Sequence, residues 1–177
     1  KNKRNFKIYF IGAYKKNKGY EDLFKLALMF KKNPEISFDC YGYGNINYYQ
    51  NKIKKLKLNN IKLNEFKKNI LSIIKKFDIL LSLSYREGLP VSFIECMSQG
   101  VPVICYNIRG SSDLIINDFN GYLFNKKEYK KVFNKIIYLS QNHEELSKIS
   151  NNSFKFIDSK FDRKKNAKLI VQYISNV

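Results

Sequence analysis

The chain has 177 residues, of which 44% are hydrophobic, and Lys and Arg outnumber Asp and Glu by 33 to 15 for a formal net charge of +18. This composition excludes an intrinsically disordered chain, and no apolar run approaches the roughly 20 residues that a membrane-spanning helix needs. The length fits one domain over residues 1–177, able to bury roughly 70% of the surface that its unfolded form exposes. The sequence goes directly from charge into a strand pattern at its start, without a long apolar region or a small-residue cleavage site, so we expect no secretory signal there.

Strand and helix patterns alternate along the chain. Strands are predicted at 6–13, 36–41, 61–63, 77–84, 103–106 and 122–124, and helices at 20–32, 48–58, 69–76, 91–99, 129–139, 144–157 and 163–174. Asn45 or Asn47 is a candidate cap for the second helix, and Ser111 or Ser112 for a further short helix. The predicted fold class is therefore α/β, a doubly wound and mainly parallel Rossmann-like sheet with a helical C-terminal tail.

Neither the cysteines nor the positive charge of the chain requires a disulfide, a metal site or a nucleic-acid site to explain it. Cys40, Cys96 and Cys105 are widely spaced in apolar runs, which favours reduced core thiols and a cytoplasmic location over disulfides or metal ligands. Lysine accompanies Asn, Ile and Tyr throughout, a compositional drift, so no nucleic-acid partner is expected. The same basic surface would suit an anionic membrane, and we expect peripheral attachment to the inner leaflet as an addition to the cytoplasmic location.

Three glycine-bearing loops each follow a predicted strand. They are residues 12–19, residues 42–44 and the Gly88–Pro90 turn, and the first contains Lys15, Lys16 and Lys18. Such loops lie along one edge of a doubly wound sheet, where backbone N–H groups favour phosphate. The alternative is that strand-to-helix turns need glycine whatever they bind. Three in succession, with lysines in the first, favour a phosphorylated ligand.

Two glutamates lie on either side of the third loop. Glu87 precedes the predicted helix and suits sugar hydroxyls, whereas Glu95 lies within that helix among apolar neighbours, where a carboxylate needs hydrogen-bond partners. Spacing alone favours a plain solvent face made of Ser92, Glu95 and Gln99. The only histidine, His143, is predicted on the surface, and no nucleophile or metal motif is present in the sequence.

The segment EGLPVSFIECMSQGVPVICYNIRGSSDLIINDFNGYLF resembles the donor-binding half of retaining glycosyltransferases of family 4, which have the GT-B fold and a Glu-x7-Glu motif, here Glu87 and Glu95. FIGAYKKNKGYEDL is similar to that family's first glycine loop, YGYG to its second, and NIKLNEF to the segment whose loop receives the nucleobase. The likeness extends over most of the chain.

The resemblance implies a nucleoside-diphosphate sugar as the donor substrate, with no cofactor and no metal. It places Lys18 on the diphosphate, where it stabilises the leaving group, and Glu87 on the transferred sugar; these two are the catalytic candidates. The remaining donor-binding positions are Gly12, Gly42, Gly44, Phe66, Lys67, Gly88, Leu89, Pro90 and, for the ribose hydroxyls, Glu95. One departure is Ala13, at a position where the family usually has arginine. Lys15 or Lys16 could supply the positive charge, but a lysine lacks the bidentate fork of an arginine.

The resemblance also implies a second partner. The GT-B fold has two Rossmann-like domains, so we expect a longer enzyme whose N-terminal acceptor domain is missing here, and a fragment that binds donor but scarcely transfers sugar. The acceptor would be a glycan or a lipid-linked glycan. Two alternatives stay open: another GT-B-type enzyme such as a sugar-nucleotide epimerase or a phosphorylase, and a non-catalytic basic module for nucleic acid or membranes.

Overall fold

A computed structural model describes residues 5–161. Six strands form one sheet in the order β3-β2-β1-β4-β5-β6, and every neighbouring pair is parallel. The strands are β1 (Phe6–Ile11), β2 (Ile36–Gly42), β3 (Ile61–Glu65), β4 (Ile79–Ser82), β5 (Val103–Tyr106) and β6 (Gly121–Phe124). The prediction of a parallel, doubly wound α/β fold is confirmed.

Within residues 5–161, six helices connect or follow the strands. They are α1 (Tyr20–Met29), α2 (Ile46–Leu56), α3 (Leu71–Ile74), α4 (Val91–Met97), α5 (Tyr129–Gln141) and α6 (His143–Phe161), with single 3₁₀ turns at Lys16–Lys18 and Phe30–Lys32. Asn45 caps α2 by accepting a hydrogen bond from the Tyr48 N–H at 3.1 Å, and His143 begins α6 as an exposed residue. The predicted helix 163–174 lies outside the described residues.

Helices cover both faces of the sheet because the strand side chains alternate between two apolar clusters. In β1, Phe6, Ile8 and Phe10 pack into one cluster and Tyr9 into the other, the period of two that a pleated strand dictates. Helices α1, α2 and α5 supply the first cluster, α3 and α4 the second, and α6 contributes to both. All three cysteines are buried and free, as predicted.

The region 109–114 corrects one prediction. Neither Ser111 nor Ser112 caps a helix, because the segment forms only hydrogen-bonded turns. The Ser111 carbonyl accepts from the Leu114 and Ile115 N–H groups, after which the chain leaves the helical path to bury Leu114 and Ile115. The helix predicted at 69–76 is also shorter than expected, with four residues in α3.

The strand order reverses direction between β1 and β4, which pair with each other at the centre of the sheet. In open α/β sheets the crevice at such a switch point, outside the carboxyl ends of the strands, is the usual ligand site. No helix within residues 5–161 combines the length and apolarity needed to cross a bilayer.

Candidate donor site at the switch point

A cleft of about 260 Å³ opens at the carboxyl ends of the strands that flank the switch point. Its wall takes residues from the segments that follow β1, β2, β3 and β4. Among the predicted site residues, the wall contains Gly12, Lys18, Gly42, Phe66, Glu87, Leu89 and Pro90. The sheet therefore brings seven positions from four separate loops to one place, and their roles as ligand contacts stay predictions.

The first two glycine loops form the floor of this cleft by close backbone contact. A Cβ atom on Gly42 would lie 2.1 Å from the Gly12 carbonyl oxygen, so only glycine lets β2 end against the first loop. The Tyr20 hydroxyl donates to that same Gly12 oxygen at 2.8 Å, and the Tyr14 N–H donates to the Tyr43 carbonyl at 2.8 Å. The two loops are consequently held as one unit.

Lys18 and Glu87 bind each other across the cleft. Lys18 Nζ donates to Glu87 Oε1 at 2.7 Å, and the two side chains are 26% and 18% exposed. The aliphatic stem of Lys18 lies against Gly12, where any side chain would be within 3.3 Å of it. Among the residues that the structure describes, they are the one cation and the one carboxylate on the cleft wall, so the side-chain charges there cancel.

Four predicted positions are not on the cleft wall. Gly88 lines a neighbouring cavity, and Gly44 sits two residues beyond Gly42, where it forms a bridge with Tyr14. Lys67 is exposed one residue after Phe66, because β3 ends at Glu65 and the chain then runs over the surface. Glu95, on α4, is the fourth.

The Glu95 carboxylate, on the second turn of α4, is half-buried and makes no hydrogen bond or ion pair within residues 5–161, whereas the Glu95 backbone carbonyl accepts from Ser98 Oγ at 2.8 Å. Burial raises the pKa of its carboxyl group, and the same charge contributes to the raised pKa of the buried Tyr9 hydroxyl after burial itself and Cys96. Ser92 and Gln99 are also only partly exposed, so the predicted alternative of a fully solvated face is not what the helix presents. A half-buried carboxylate without a partner is suited to accept hydrogen bonds from the hydroxyl groups of a ligand.

A buried carboxylate that sequence reasoning missed ties the site together. Asp22 is 1% exposed and accepts hydrogen bonds from the hydroxyls of Tyr85, Tyr106 and Tyr129 at 2.5, 2.9 and 2.6 Å. Tyr85 lies two residues before Glu87, and Asp22 lies four residues after Lys18. This network therefore joins the elements that carry the two halves of the ion pair.

A second cavity, of about 800 Å³, adjoins the cleft on the far side of Glu87. Glu87 and Leu89 line both spaces, and the second is also lined by Arg86, Arg109 and Lys126. Gly110 lets the loop after β5 approach the loop after β4 closely. Its φ is +87°, and a Cβ atom there would lie 1.7 Å from the Gly88 carbonyl oxygen. The scarcity of arginine in the sequence was a signal that could have identified this cavity.

Within the described part of the chain, no group of three or more His, Cys, Asp or Glu side chains is placed to hold a metal ion. The expectation of a reaction without metal or cofactor is not tested by this and stays a prediction.

Comparison with known proteins extends the structural result. Residues 1–156 match the model of the family described as glycosyl transferases group 1. The poly(glycerol-phosphate) alpha-glucosyltransferase of Bacillus subtilis (strain 168) is 30% identical over 135 residues, which cover 75% of this chain and 20% of that protein. The poly(ribitol-phosphate) alpha-N-acetylglucosaminyltransferase of Staphylococcus aureus (strain COL) is 32% identical over 121 residues, 65% of this chain and 24% of that one.

A solved structure shows the same fold. Anabaena Alr3699/HepE, crystallised with UDP and glucose, superposes with a TM-score of 0.87 at 20% identity, over 98% of this chain and 49% of that chain. The present chain spans about a fifth to a quarter of the length of the two curated relatives described above, at 20% and 24%. Since the family model covers residues 1–156 of 177, the protein belongs to the glycosyl transferases group 1 family.

Proposed function

We propose that this chain is the nucleotide-sugar-binding domain of a retaining glycosyltransferase that moves a sugar from a nucleoside diphosphate to a glycan or a lipid-linked acceptor. The observation that carries the proposal is the cleft at the β1/β4 switch point, where Lys18 and Glu87 meet above the joined glycine loops. Membership of the glycosyl transferases group 1 family supports it.

Each charged residue has a distinct part in the proposal. Lys18 takes the diphosphate and stabilises the charge that develops on it as the sugar leaves. Glu87, released from Lys18, accepts hydrogen bonds from the hydroxyl groups of the transferred sugar. Glu95 accepts hydrogen bonds from the ribose hydroxyls. Phe66, exposed at the end of the cleft, and the neighbouring Lys67 hold the base. Catalysis rests on positioning and electrostatics, without a covalent glycosyl-enzyme and without a metal.

The acceptor and the setting are also proposals. Two curated relatives are named for phosphate-bearing polymers and an Escherichia coli enzyme for a diphosphoundecaprenol-linked sugar, whereas two Streptococcus relatives are named for a peptide acceptor. We propose that the present protein takes part in polysaccharide biosynthesis in the cytoplasm, at the inner surface of the membrane. Its charge of +18 would attract an anionic leaflet, and an N-terminal acceptor domain would complete the cleft.

The proposal is tested by calorimetric titration of the 177-residue chain with UDP, GDP and their sugar conjugates, beside duplex DNA and anionic vesicles. We expect one nucleotide class to bind with a dissociation constant between about 1 µM and 1 mM, the range typical of enzyme substrates. Absence of nucleotide binding at millimolar concentration, together with binding of DNA or vesicles, would overturn the assignment. Product analysis of the longer enzyme separates transfer from epimerisation.

A further inference from the structure

The second cavity combines positive charge with an unusual choice of residue. Three cations line it, Arg86, Arg109 and Lys126. Only four arginines occur among the 33 basic residues of the chain, at positions 4, 86, 109 and 163, and two of the four are here. General surface basicity in this protein is supplied by lysine, so compositional drift does not account for a pair of arginines on one cavity.

The two arginines have no partner that uses their charge, and Lys126 has only the face of an aromatic ring. Within residues 5–161 neither guanidinium group forms an ion pair or a hydrogen bond, and Lys126 Nζ lies 5.3 Å from the centre of the Tyr85 ring. Of the two carboxylates in the cavity, Glu87 is bound to Lys18, which leaves the exposed Asp113 as the one opposing charge. The cavity therefore has a surplus of positive charge, whereas the neighbouring cleft is neutral.

The geometry of arginine limits the classes of ligand that the second cavity can bind. A guanidinium group presents a planar fork of donors that matches two oxygens of a phosphate or carboxylate, which a lysine cannot do. Two forks and an ammonium around about 800 Å³ suit a group with more than one negative charge and several acceptor oxygens. Phosphate meets both conditions better than a single carboxylate.

The place of the cavity decides which substrate it serves. Lys18 lies on the cleft side of Glu87 and the arginines on the other, with the contact of Gly110 on Gly88 between the two loops. If the donor occupies the cleft as proposed above, with its sugar at Glu87, then the far side of Glu87 is open to the acceptor. We infer that Arg86, Arg109 and Lys126 bind a phosphate group of the acceptor, so that the acceptor is a phosphate-bearing molecule.

The test uses the 177-residue chain saturated with UDP and two soluble acceptor analogues, geranyl diphosphate for a lipid-linked acceptor and a poly(glycerol phosphate) oligomer for a polymeric one. Geraniol, glycerol and glucuronate serve as neutral and carboxylate controls. The double variant Arg86→Gln/Arg109→Gln is compared with Lys54→Gln/Lys55→Gln, which removes two exposed charges from α2. Arg109→Lys keeps the charge and loses the fork. Thermal melts establish that each variant is folded.

We expect at least one analogue to bind the wild-type chain in the presence of UDP. Its affinity for the double arginine variant should be lower by about tenfold or more, and its affinity for the α2 control should lie within about twofold of that for wild type. Affinity for UDP should fall less than affinity for the analogue, and Arg109→Lys should lie between wild type and the double variant. Displacement of the analogue by UDP would assign these cations to the donor and overturn the inference. So would equal binding of glucuronate, or equal losses in both double variants. The same titrations use GDP if that is the nucleotide the chain binds, and failure of both UDP and GDP to bind is a separate outcome that contradicts the proposed function.

Discussion

Replacement of Glu87 by glutamine tests the central feature of the site, the ion pair between Lys18 and Glu87. The pair is partly buried, with side-chain exposures of 26% and 18% and a separation of 2.7 Å. A pair of this exposure contributes about 1 kcal/mol, the upper end of the range for solvent-accessible pairs. A diphosphate bound at Lys18 competes with Glu87 for the ammonium group, so that contribution opposes binding of UDP.

The glutamine variant removes this opposition. A gain of about 1 kcal/mol corresponds to roughly fivefold tighter binding of UDP. A UDP-sugar should not show this gain, because the carboxylate that accepts its sugar hydroxyls is lost, and a hydrogen bond to a charged group contributes about 1.5–3 kcal/mol. The preference of the protein for UDP-sugar over UDP should therefore fall by about tenfold or more.

Calorimetric titration of wild type, Lys18→Met, Glu87→Gln and the double variant measures both effects. The gain on Glu87→Gln should disappear when Lys18 is already methionine, since no cation is then left to release. Glu144→Gln, at an exposed position in the first turn of α6, controls for the loss of one negative charge. If Glu87→Gln binds UDP no more tightly than wild type, the ion pair does not compete with the diphosphate and the reasoning fails.

Three further changes have distinct expected outcomes. Burial raises the pKa of Glu95, so its ionisation opposes folding once the pH exceeds that folded-state pKa; Glu95→Gln should raise the urea midpoint at pH 7, converge with wild type in acid, and weaken binding of free uridine. Asp22→Ala removes the shared acceptor of three tyrosine hydroxyls and should lower the free energy of unfolding in urea by about 3–5 kcal/mol, against about 1 kcal/mol for Tyr129→Phe. Gly110→Ala should cost about 1–3 kcal/mol and weaken UDP-sugar binding, both measured on one preparation, since it pushes on Gly88. The argument for Glu95 is contradicted if Glu95→Gln is stabilised but keeps its affinity for uridine. The argument for Asp22 is contradicted if Asp22→Ala has the same urea midpoint as Tyr129→Phe, and that for Gly110 if Gly110→Ala equals wild type in stability and binding.

The fold was predictable because its signals are local. Alternation of apolar residues in strands such as β1, and the glycine and proline positions between elements, depend only on neighbours in the sequence. The parallel sheet follows from strands that alternate with helices. The prediction at 109–114 was wrong because a serine before an apolar run is also typical of turns, and what decides there is the packing of Leu114 and Ile115 into the core.

The contacts within the site could not be predicted in the same way. Lys18 and Glu87 are 69 residues apart, and the tyrosines that bind Asp22 come from 63, 84 and 107 residues further along the chain. Their meeting depends on β1 lying beside β4, which no local pattern states. The motif resemblance supplied the identities of Lys18 and Glu87, but it did not supply the bond between them or the role of Asp22.

That bond gives the proposed reaction a direction. Among the described residues the cleft wall has one cation and one carboxylate, and Ala13 adds no charge to it, so a diphosphate that pairs with Lys18 competes with Glu87 for it. A UDP-sugar compensates Glu87 with sugar hydroxyls, whereas free UDP leaves that half-buried carboxylate without a partner and facing a diphosphate. The same pair of residues therefore favours the donor over the nucleoside diphosphate that remains after transfer. In the proposed reaction, the return of Lys18 to Glu87 would then favour release of the spent nucleotide.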